Sequence, residues 1–252
     1  MPSKISILIP IFNEVNTAQA LLEAVWNQEL PPDTTKELVV IESNSSDGTR
    51  EVVKRFAHWA EITGRGEVKL VLQDKPRGKG QALREGFTAA TGDIFLIQDG
   101  DLEYDTNDYP TVLKPILDGR ADFVLGSRHL SAGSWKIRNF EKNPFKGFVL
   151  NLGGIFFHSF FNVMYQTRLS DPTTMYKVFR RSCLENLHFK SNRFDFDFEL
   201  LGKLIRAGFR PLEVPISYRS RSFEDGKKIR VWRDPLTWVI AILKFRFGRL
   251  YS

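Results

Sequence analysis

The chain opens with short apolar runs that alternate with stretches of helical periodicity, and nearly every apolar run stops at a cluster of Asp, Asn, Ser, Gly or Glu. Ile5–Ile11, Leu38–Ile41, Val68–Leu72, Ile94–Ile97 and Phe123–Leu125 read as strands. Glu14–Gln28, the charged stretch from the turn at 43–48 to Trp59, Gln81–Ala90 and Tyr109–Leu117 carry helical spacing. Continuous apolar strands separated by helices predict a parallel, doubly wound α/β sheet covered on both faces. Ligands of such sheets bind beyond the carboxyl ends of the strands, so the polar residues after each run are the ones that matter.

The second half reads differently. Gly147–Tyr165 is nineteen residues without a charged side chain and rich in Phe. That nearly reaches the ~20 residues of a membrane span. Asn151, Gly153, Gly154, His158, Ser159 and Asn162 interrupt it, which favours one or two helices at the rim of an apolar groove. Thr174–Phe179 and Val214–Tyr218 read as further strands, and Phe196–Ala207 as a helix ending at Gly208. Trp238–Leu243 is too short to span and, with Lys244, Arg246 and Arg249 behind it, suits an interface between protein and bilayer. No repeat or linker divides the 252 residues, which predicts a single domain over 1–252.

Charge separates the two ends. The net charge is +6, yet Lys203–Ser252 alone holds twelve Lys/Arg and four Asp/Glu, so the rest of the chain is slightly acidic. A basic end of this kind serves phosphate groups, an anionic membrane surface or nucleic acid; no recognition motif supports nucleic acid. One cysteine, Cys183, and an opening Met1-Pro2-Ser3-Lys4 without a signal-peptide layout predict a reducing, cytoplasmic setting. Four histidines scattered along the chain argue against a His/Cys zinc site.

The sharpest chemical signal is Asp99-Gly100-Asp101-Leu102-Glu103, directly after Ile94–Gln98. Residues two apart in an extended segment share a face, so these carboxylates can converge. Hard oxygen donors suit Mg²⁺ or Mn²⁺ bridging protein to phosphate. Pro10-Ile11-Phe12-Asn13-Glu14 closes the first strand and Glu42-Ser43-Asn44-Ser45-Ser46-Asp47-Gly48-Thr49 the second. Within the latter, Asp47 and Gly48 also read as simple helix-start and turn residues. Arg77-Gly78-Lys79-Gly80-Gln81 is a basic glycine loop at a helix start, able to approach phosphate. Its spacing fits neither a P-loop nor a dinucleotide fingerprint.

In order, PIFNE, VVIESNSSDGT, RGKGQALREGF, TGDIFLIQDGDLEY, ADFVLGSRH and SDPTTMYKVF resemble the inverting glycosyltransferases of family 2. Within that family they resemble the polyprenyl-phosphate sugar transferases, the dolichyl-phosphate mannose synthases among them. The likeness runs from Ile5 to about Arg230. It implies a GT-A fold: a Rossmann-like, nucleotide-sugar-binding half over 1–130 with a mixed central sheet flanked by helices, and an acceptor half over 131–252. It further implies a UDP- or GDP-sugar donor, a Mg²⁺ or Mn²⁺ cofactor, and a lipid-phosphate or glycan acceptor. The expected location is the cytoplasmic face of a membrane, bound peripherally, with a membrane protein as partner.

Carried over residue by residue, the resemblance places Pro10, Phe12, Asn13, Glu14, Glu42, Asn44, Lys79 and Asp99 around the nucleotide sugar. Asp99, Asp101 and Glu103 become metal ligands, with Asp101 also catalytic. Arg128 becomes a phosphate contact, as do Arg221 and Lys228 in the basic segment after Tyr218. Asp197 stands where the mannose synthases have Gln and where other family members have a catalytic base, which makes it the candidate base for a hydroxyl acceptor. Glu42-Ser43 replaces a usual Asp-Asp, Met175-Tyr176 a common Gly-Phe, and His129 a Tyr. A catalytically silent nucleotide-sugar binder is the rival reading, and the intact Asp99/Asp101 pair speaks against it.

Overall fold

The computed structural model describes residues 2–64, 66–132, 144–193, 195–220 and 234–250. Its strands are β1 (Ser3–Ile11), β2 (Thr34–Glu42), β3 (Glu67–Leu72), β4 (Ile94–Ile97), β5 (Phe123–Ser127), β6 (Lys177–Arg180) and β7 (Leu212–Pro215). They form one seven-stranded sheet in the order β3-β2-β1-β4-β6-β5-β7. The helices are α1 (Ala18–Asn27), α2 (Thr49–Thr63), α3 (Lys79–Ala89), α4 (Tyr109–Leu117), α5 (Arg128–Ala132), α6 (Pro144–Tyr165), α7 (Phe196–Arg206) and α8 (Asp234–Phe247).

Period-two alternation along the strands divides the core in two. Ile5, Ile7, Ile9, Leu38, Val40, Leu96 and Val178 face α1, α2 and α4, while Leu8, Val39, Ile41, Phe95, Leu125 and Phe179 face α3, α6, α7 and α8. Strands buried on both sides explain why the sequence shows unbroken apolar runs.

The apolar runs alone predict an all-parallel sheet, and here the structure corrects them. β6 enters antiparallel between β4 and β5, pairing Phe95 with Phe179 on one side and Val124 with Val178 on the other. The other pairings are parallel. A strand of only four residues, Lys177-Val178-Phe179-Arg180, carries no mark of direction. The sheet is therefore mixed, as the family resemblance implies.

Boundaries also shift, and the strand expected over Val214–Tyr218 is β7 at Leu212–Pro215. α1 begins at Ala18 because Glu14–Thr17 forms a turn in which Ala18 N donates to Glu14 O at 2.8 Å. The strand expected from Thr174 begins at Lys177, since Thr174 N donates to Asp171 O (3.3 Å) and Met175 N to the Tyr104 hydroxyl (3.0 Å).

The uncharged segment becomes the single helix α6. Its inner face buries Phe157, Phe161 and Tyr165, and the Phe161 ring stacks 4.4 Å from that of Tyr165. Leu152, Phe156 and Val163, at helical spacing, remain exposed, Phe156 by 59% and Val163 by 69%. α8 packs beside α6 and likewise exposes Ile240, Leu243 and Phe247. Among the described residues, no helix is long and apolar enough to cross a membrane. Two substitutions test this two-faced reading of α6. Phe161→Ala should cost about 3–5 kcal/mol by chemical denaturation, while Phe156→Ser should change stability by about 0.5 kcal/mol or less.

Candidate active site at the carboxyl edge of the sheet

Parallel register brings the loops after β1, β2 and β4 together. β1 pairs Ile11 with Glu42 on β2 and Leu8 with Ile97 on β4, so all three strands end at the same edge. The first two loops are stitched by side chains. Asn13, with φ +50°, donates its N–H to Ser45 Oγ (2.9 Å) and accepts from Ser46 N at Oδ1 (2.9 Å). Glu14 N donates to Thr49 Oγ1 (2.9 Å) and Val15 N to Asp47 Oδ2 (3.1 Å). Asp47 also accepts from Thr49 N where α2 begins (3.0 Å), and Gly48 adopts φ +97°. Both therefore have the plain structural roles open to them in the sequence.

Glu42 is fully buried at the end of β2. Burial alone would raise its pKa, but hydrogen bonds from Ser45 and from the Arg50 guanidinium outweigh it and hold the carboxylate below its ordinary range. Ser45 N donates at 2.7 Å and Asn44 N at 3.2 Å, so Glu42 shapes the turn that carries Asn44. Beside these loops lie Pro10 and a partly exposed Phe12.

The acidic loop follows β4. Gly100 presses against β1, and a Cβ there would lie 2.8 Å from Pro10 O, a contact only glycine avoids. Asp101 Oδ1 accepts from Glu103 N at 3.0 Å, and Glu103 Oε2 from the Tyr218 hydroxyl at 2.8 Å. Arg219 N donates to Glu103 O (2.9 Å), and Tyr104 bridges to Tyr218. The segment leading into the basic C-terminal stretch is thus fastened to the acidic loop. Arg221 and Lys228 themselves lie outside the described residues.

From below, Gln98 anchors the loop. Its Oε1 accepts from the Tyr109 hydroxyl (2.9 Å) and lies 2.8 Å from that of Tyr176, which is also 2.8 Å from Asp105 O. Sequence reasoning missed this network, although Tyr176 stood out as a departure from the family pattern.

Lys79 enters from α3. Gly78 holds φ +92° with its Cα against Asn192, so the glycine loop seats tightly on the segment before α7. The Lys79 ammonium bonds Asp99. Burial works against its charge, but Asp99, Asp197 and Asp101 outweigh that and raise its pKa. Asp197, in the first turn of α7, lies in the same charged cluster.

Arg128, after β5, is buried against Asp171: Nε donates to Oδ2 at 2.6 Å and Nη2 to Oδ1 at 2.8 Å. Its guanidinium sits 5.0 Å over the Tyr218 ring, which points it toward the Glu103 side of the site. Burial would raise the Asp171 pKa, and Arg128 reverses this to hold the carboxyl far below its usual range. Two of the scattered histidines meet here, the rings of His129 and His158 lying 5.1 Å apart beside Asp171. Sequence distance concealed that convergence; the Asp171 carboxylate is engaged by Arg128.

The acidic loop carries the oxygen donors of Asp99, Asp101 and Glu103, of the type that suits a hard divalent cation, with the Lys79 ammonium bonded to Asp99. The one group of three ligand-bearing side chains already within a common ligand distance among the described residues is His129, His158 and Asp171. Residues 6–187 match the family model described as Glycosyl transferase family 2. The chain belongs to glycosyl transferase family 2. It is 27% identical over 229 residues to a dolichol-phosphate mannosyltransferase of Pyrococcus furiosus, covering 90% of this chain and 60% of that protein. It is 26% identical to the glycosyltransferase AglD of Haloferax volcanii, covering 96% of this chain and 36% of that protein. The chain thus spans only part of these two relatives. An uncharacterized glycosyltransferase, Mb0553 of Mycobacterium bovis, is 29% identical, with 96% and 95% covered. Among solved structures, glucosyl-3-phosphoglycerate synthase of Mycobacterium tuberculosis in complex with UDP superposes with a TM-score of 0.66 at 18% identity, over 97% of this chain and 80% of that one. That likeness shows the GT-A fold expected of the family. The same synthase has also been solved with Mn²⁺, UDP-glucose and phosphoglyceric acid.

The Arg128–Asp171 pair gives a direct test of the site's electrostatics. Removing one partner of a buried pair leaves the other uncompensated, so Asp171→Asn should cost about 3–5 kcal/mol in urea unfolding. Because the folded pKa is depressed, the pair's contribution is complete above the ordinary aspartate range near pH 4 and is lost as pH falls toward the folded value. The gap between wild type and Asp171→Asn should accordingly narrow in acid.

Proposed function

We propose that the chain is an inverting, metal-dependent hexosyltransferase that moves a sugar from a UDP- or GDP-sugar to a polyprenyl phosphate at the cytoplasmic surface of a membrane. The observation that carries this reading is the placement of Asp99, Asp101 and Glu103 in one loop at the sheet edge, with Lys79 bonded to Asp99 and the Arg128 guanidinium over the ring of Tyr218, which itself bonds Glu103. The loops of residues 1–130 would hold the donor, and residues 131–252 the acceptor. The stitched Asn13–Ser45 turn, with Pro10, Phe12, Glu14, Glu42 and Asn44, would cradle the nucleoside.

Asp99 and Asp101, with Glu103, would hold Mg²⁺ or Mn²⁺, which would supply charge neutralisation on the departing diphosphate. Lys79 and Arg128 would add fixed positive charge where negative charge develops. The acceptor oxygen attacks the anomeric carbon from the face opposite the leaving group. The bond to the diphosphate breaks, and its electron pair leaves with the nucleoside diphosphate. Arg221 and Lys228 are assigned to the same phosphates.

A phosphate acceptor attacks as an anion and gives up no proton. The relation to the Pyrococcus dolichol-phosphate mannosyltransferase supports it, as do the exposed apolar faces of α6 and α8. Leu152, Phe156 and Val163 on one helix, and Ile240 and Phe247 on the other, would enter the headgroup region, with Lys244, Arg246 and Arg249 drawn to anionic lipid. A second reading keeps the same donor chemistry but uses a sugar or lipid hydroxyl, with Asp197 as the base that takes its proton. The place of Asp197 beside the Lys79–Asp99 pair favours that alternative.

The test is a panel of UDP- and GDP-hexoses with Mn²⁺, scored for slow hydrolysis and for transfer to polyprenyl phosphate or to the matching polyprenol. One donor should be turned over, Asp101→Ala should lower its rate at least about 100-fold, and a chelator should do the same. Full activity in chelator contradicts the metal, and transfer to the alcohol alone selects the second reading.

A further inference from the structure

Alternation along β6 turns Tyr176 and Val178 toward α4 and Lys177 and Phe179 toward α7. Lys177 is therefore a lysine inside the molecule, with no exposed surface. A buried ammonium needs both hydrogen bonds and an opposite charge. It donates to Thr174 O, and its Nζ lies 3.7 Å from Asp197 Oδ1 on the first turn of α7.

Asp197 needs the lysine as much. Among the described residues its buried Oδ1 accepts no hydrogen bond, and the Lys177 ammonium faces it. Lys79 is bonded to Asp99 and lies within electrostatic reach of Asp197. Burial lowers the pKa of Lys177, and the fields of Asp197 and Asp99 act against that while Lys79 adds to it. Two ammonium groups and the carboxylates of Asp197 and Asp99 thus form one charged cluster, buried at Lys177 and partly exposed at the other three, carried by α3, β6, α7 and the acidic loop.

We propose that Lys177 is a positioning residue for sugar transfer: its buried ammonium fixes the Asp197 carboxylate beside the Lys79–Asp99 pair, so that Lys177 and Asp197 act on the reaction as one unit. This rests on reading the site as a sugar transferase, but it holds for either acceptor. With a hydroxyl acceptor, Lys177 sets the direction in which the base presents its free oxygen. With a phosphate acceptor, it keeps the carboxylate against the Lys79–Asp99 pair, so that the Lys79 ammonium stays aligned for the donor phosphates.

A double-mutant cycle tests it, using Lys177→Met, which keeps the length and removes the charge, and Asp197→Asn. Rates are read as Mn²⁺-dependent turnover of the UDP- or GDP-hexose that the wild type accepts. Each single variant should lower kcat about tenfold or more while the donor KM moves less than about threefold. The double variant should be no slower than the slower single one, whereas independent effects would multiply to about 100-fold. A wild-type kcat in Lys177→Met, or losses that multiply, overturns the proposal. Melting supplies the second measurement. Lys177→Met/Asp197→Asn should melt above Lys177→Met, because no buried carboxylate is left without its cation; a lower midpoint overturns the pairing even if Lys177→Met folds too poorly to assay. Failure of the wild type to turn over any nucleotide sugar would instead strike at the transferase reading, and the melting comparison would still decide the pairing.

Discussion

The insertion of β6, antiparallel, between β4 and β5 is the contact on which the rest of the site depends. It pairs Leu96 and Val124 with Val178 on its two sides, and so locks the strand that leads into the acidic loop to the strand that leads into Arg128. The same four residues carry Lys177 into the face shared with α7, while Tyr176 just before them reaches Gln98 and Asp105 under the acidic loop. A parallel strand at that position would start at the opposite edge and leave its first residue, Lys177, away from the acidic loop. The mixed sheet is thus a geometric requirement of the site as well as a feature of the fold.

Around that strand the site is assembled from charges that compensate one another in pairs. Lys79 answers Asp99, Arg128 answers Asp171, Arg50 answers Glu42, and Lys177 answers Asp197. Such pairs contribute less to net stability than their attraction suggests, since each charge has lost its hydration. What they provide is direction. A transferase that must stabilise a departing diphosphate benefits from charges already oriented before the reaction begins, because no reorganisation is then required.

The strands β1, β2 and β4 were legible because burial on both faces demands unbroken apolar runs, and the loops behind them were legible because an α/β sheet collects ligands at that edge. The acidic triplet and the glycine loop stood out for the same reason. What escaped was long-range. Asp171 lay in a quoted motif without a role, and only the approach of Arg128 gives it one. Lys177 looked like an ordinary strand lysine, and nothing local marks it as buried. His129 and His158 are far apart in sequence and meet only where α6 comes beside the start of α5. The direction of β6 depends on how the chain returns from α6, which so short a strand does not encode. The exposed faces of α6 and α8 were visible in part, because an uncharged helix too polar to span must leave apolar surface somewhere.

The central claim is that a divalent metal and a nucleoside diphosphate meet at the acidic loop. Anomalous diffraction from crystals grown with Mn²⁺ and UDP or GDP addresses it most directly. The account predicts one Mn²⁺ peak within about 2.0–2.3 Å of a carboxylate oxygen of Asp101 and of diphosphate oxygens, with Lys79 turned to the diphosphate or to Asp99. A Mn²⁺ peak at His129, His158 and Asp171, or a diphosphate bound away from Asp99 and Asp101, would contradict it.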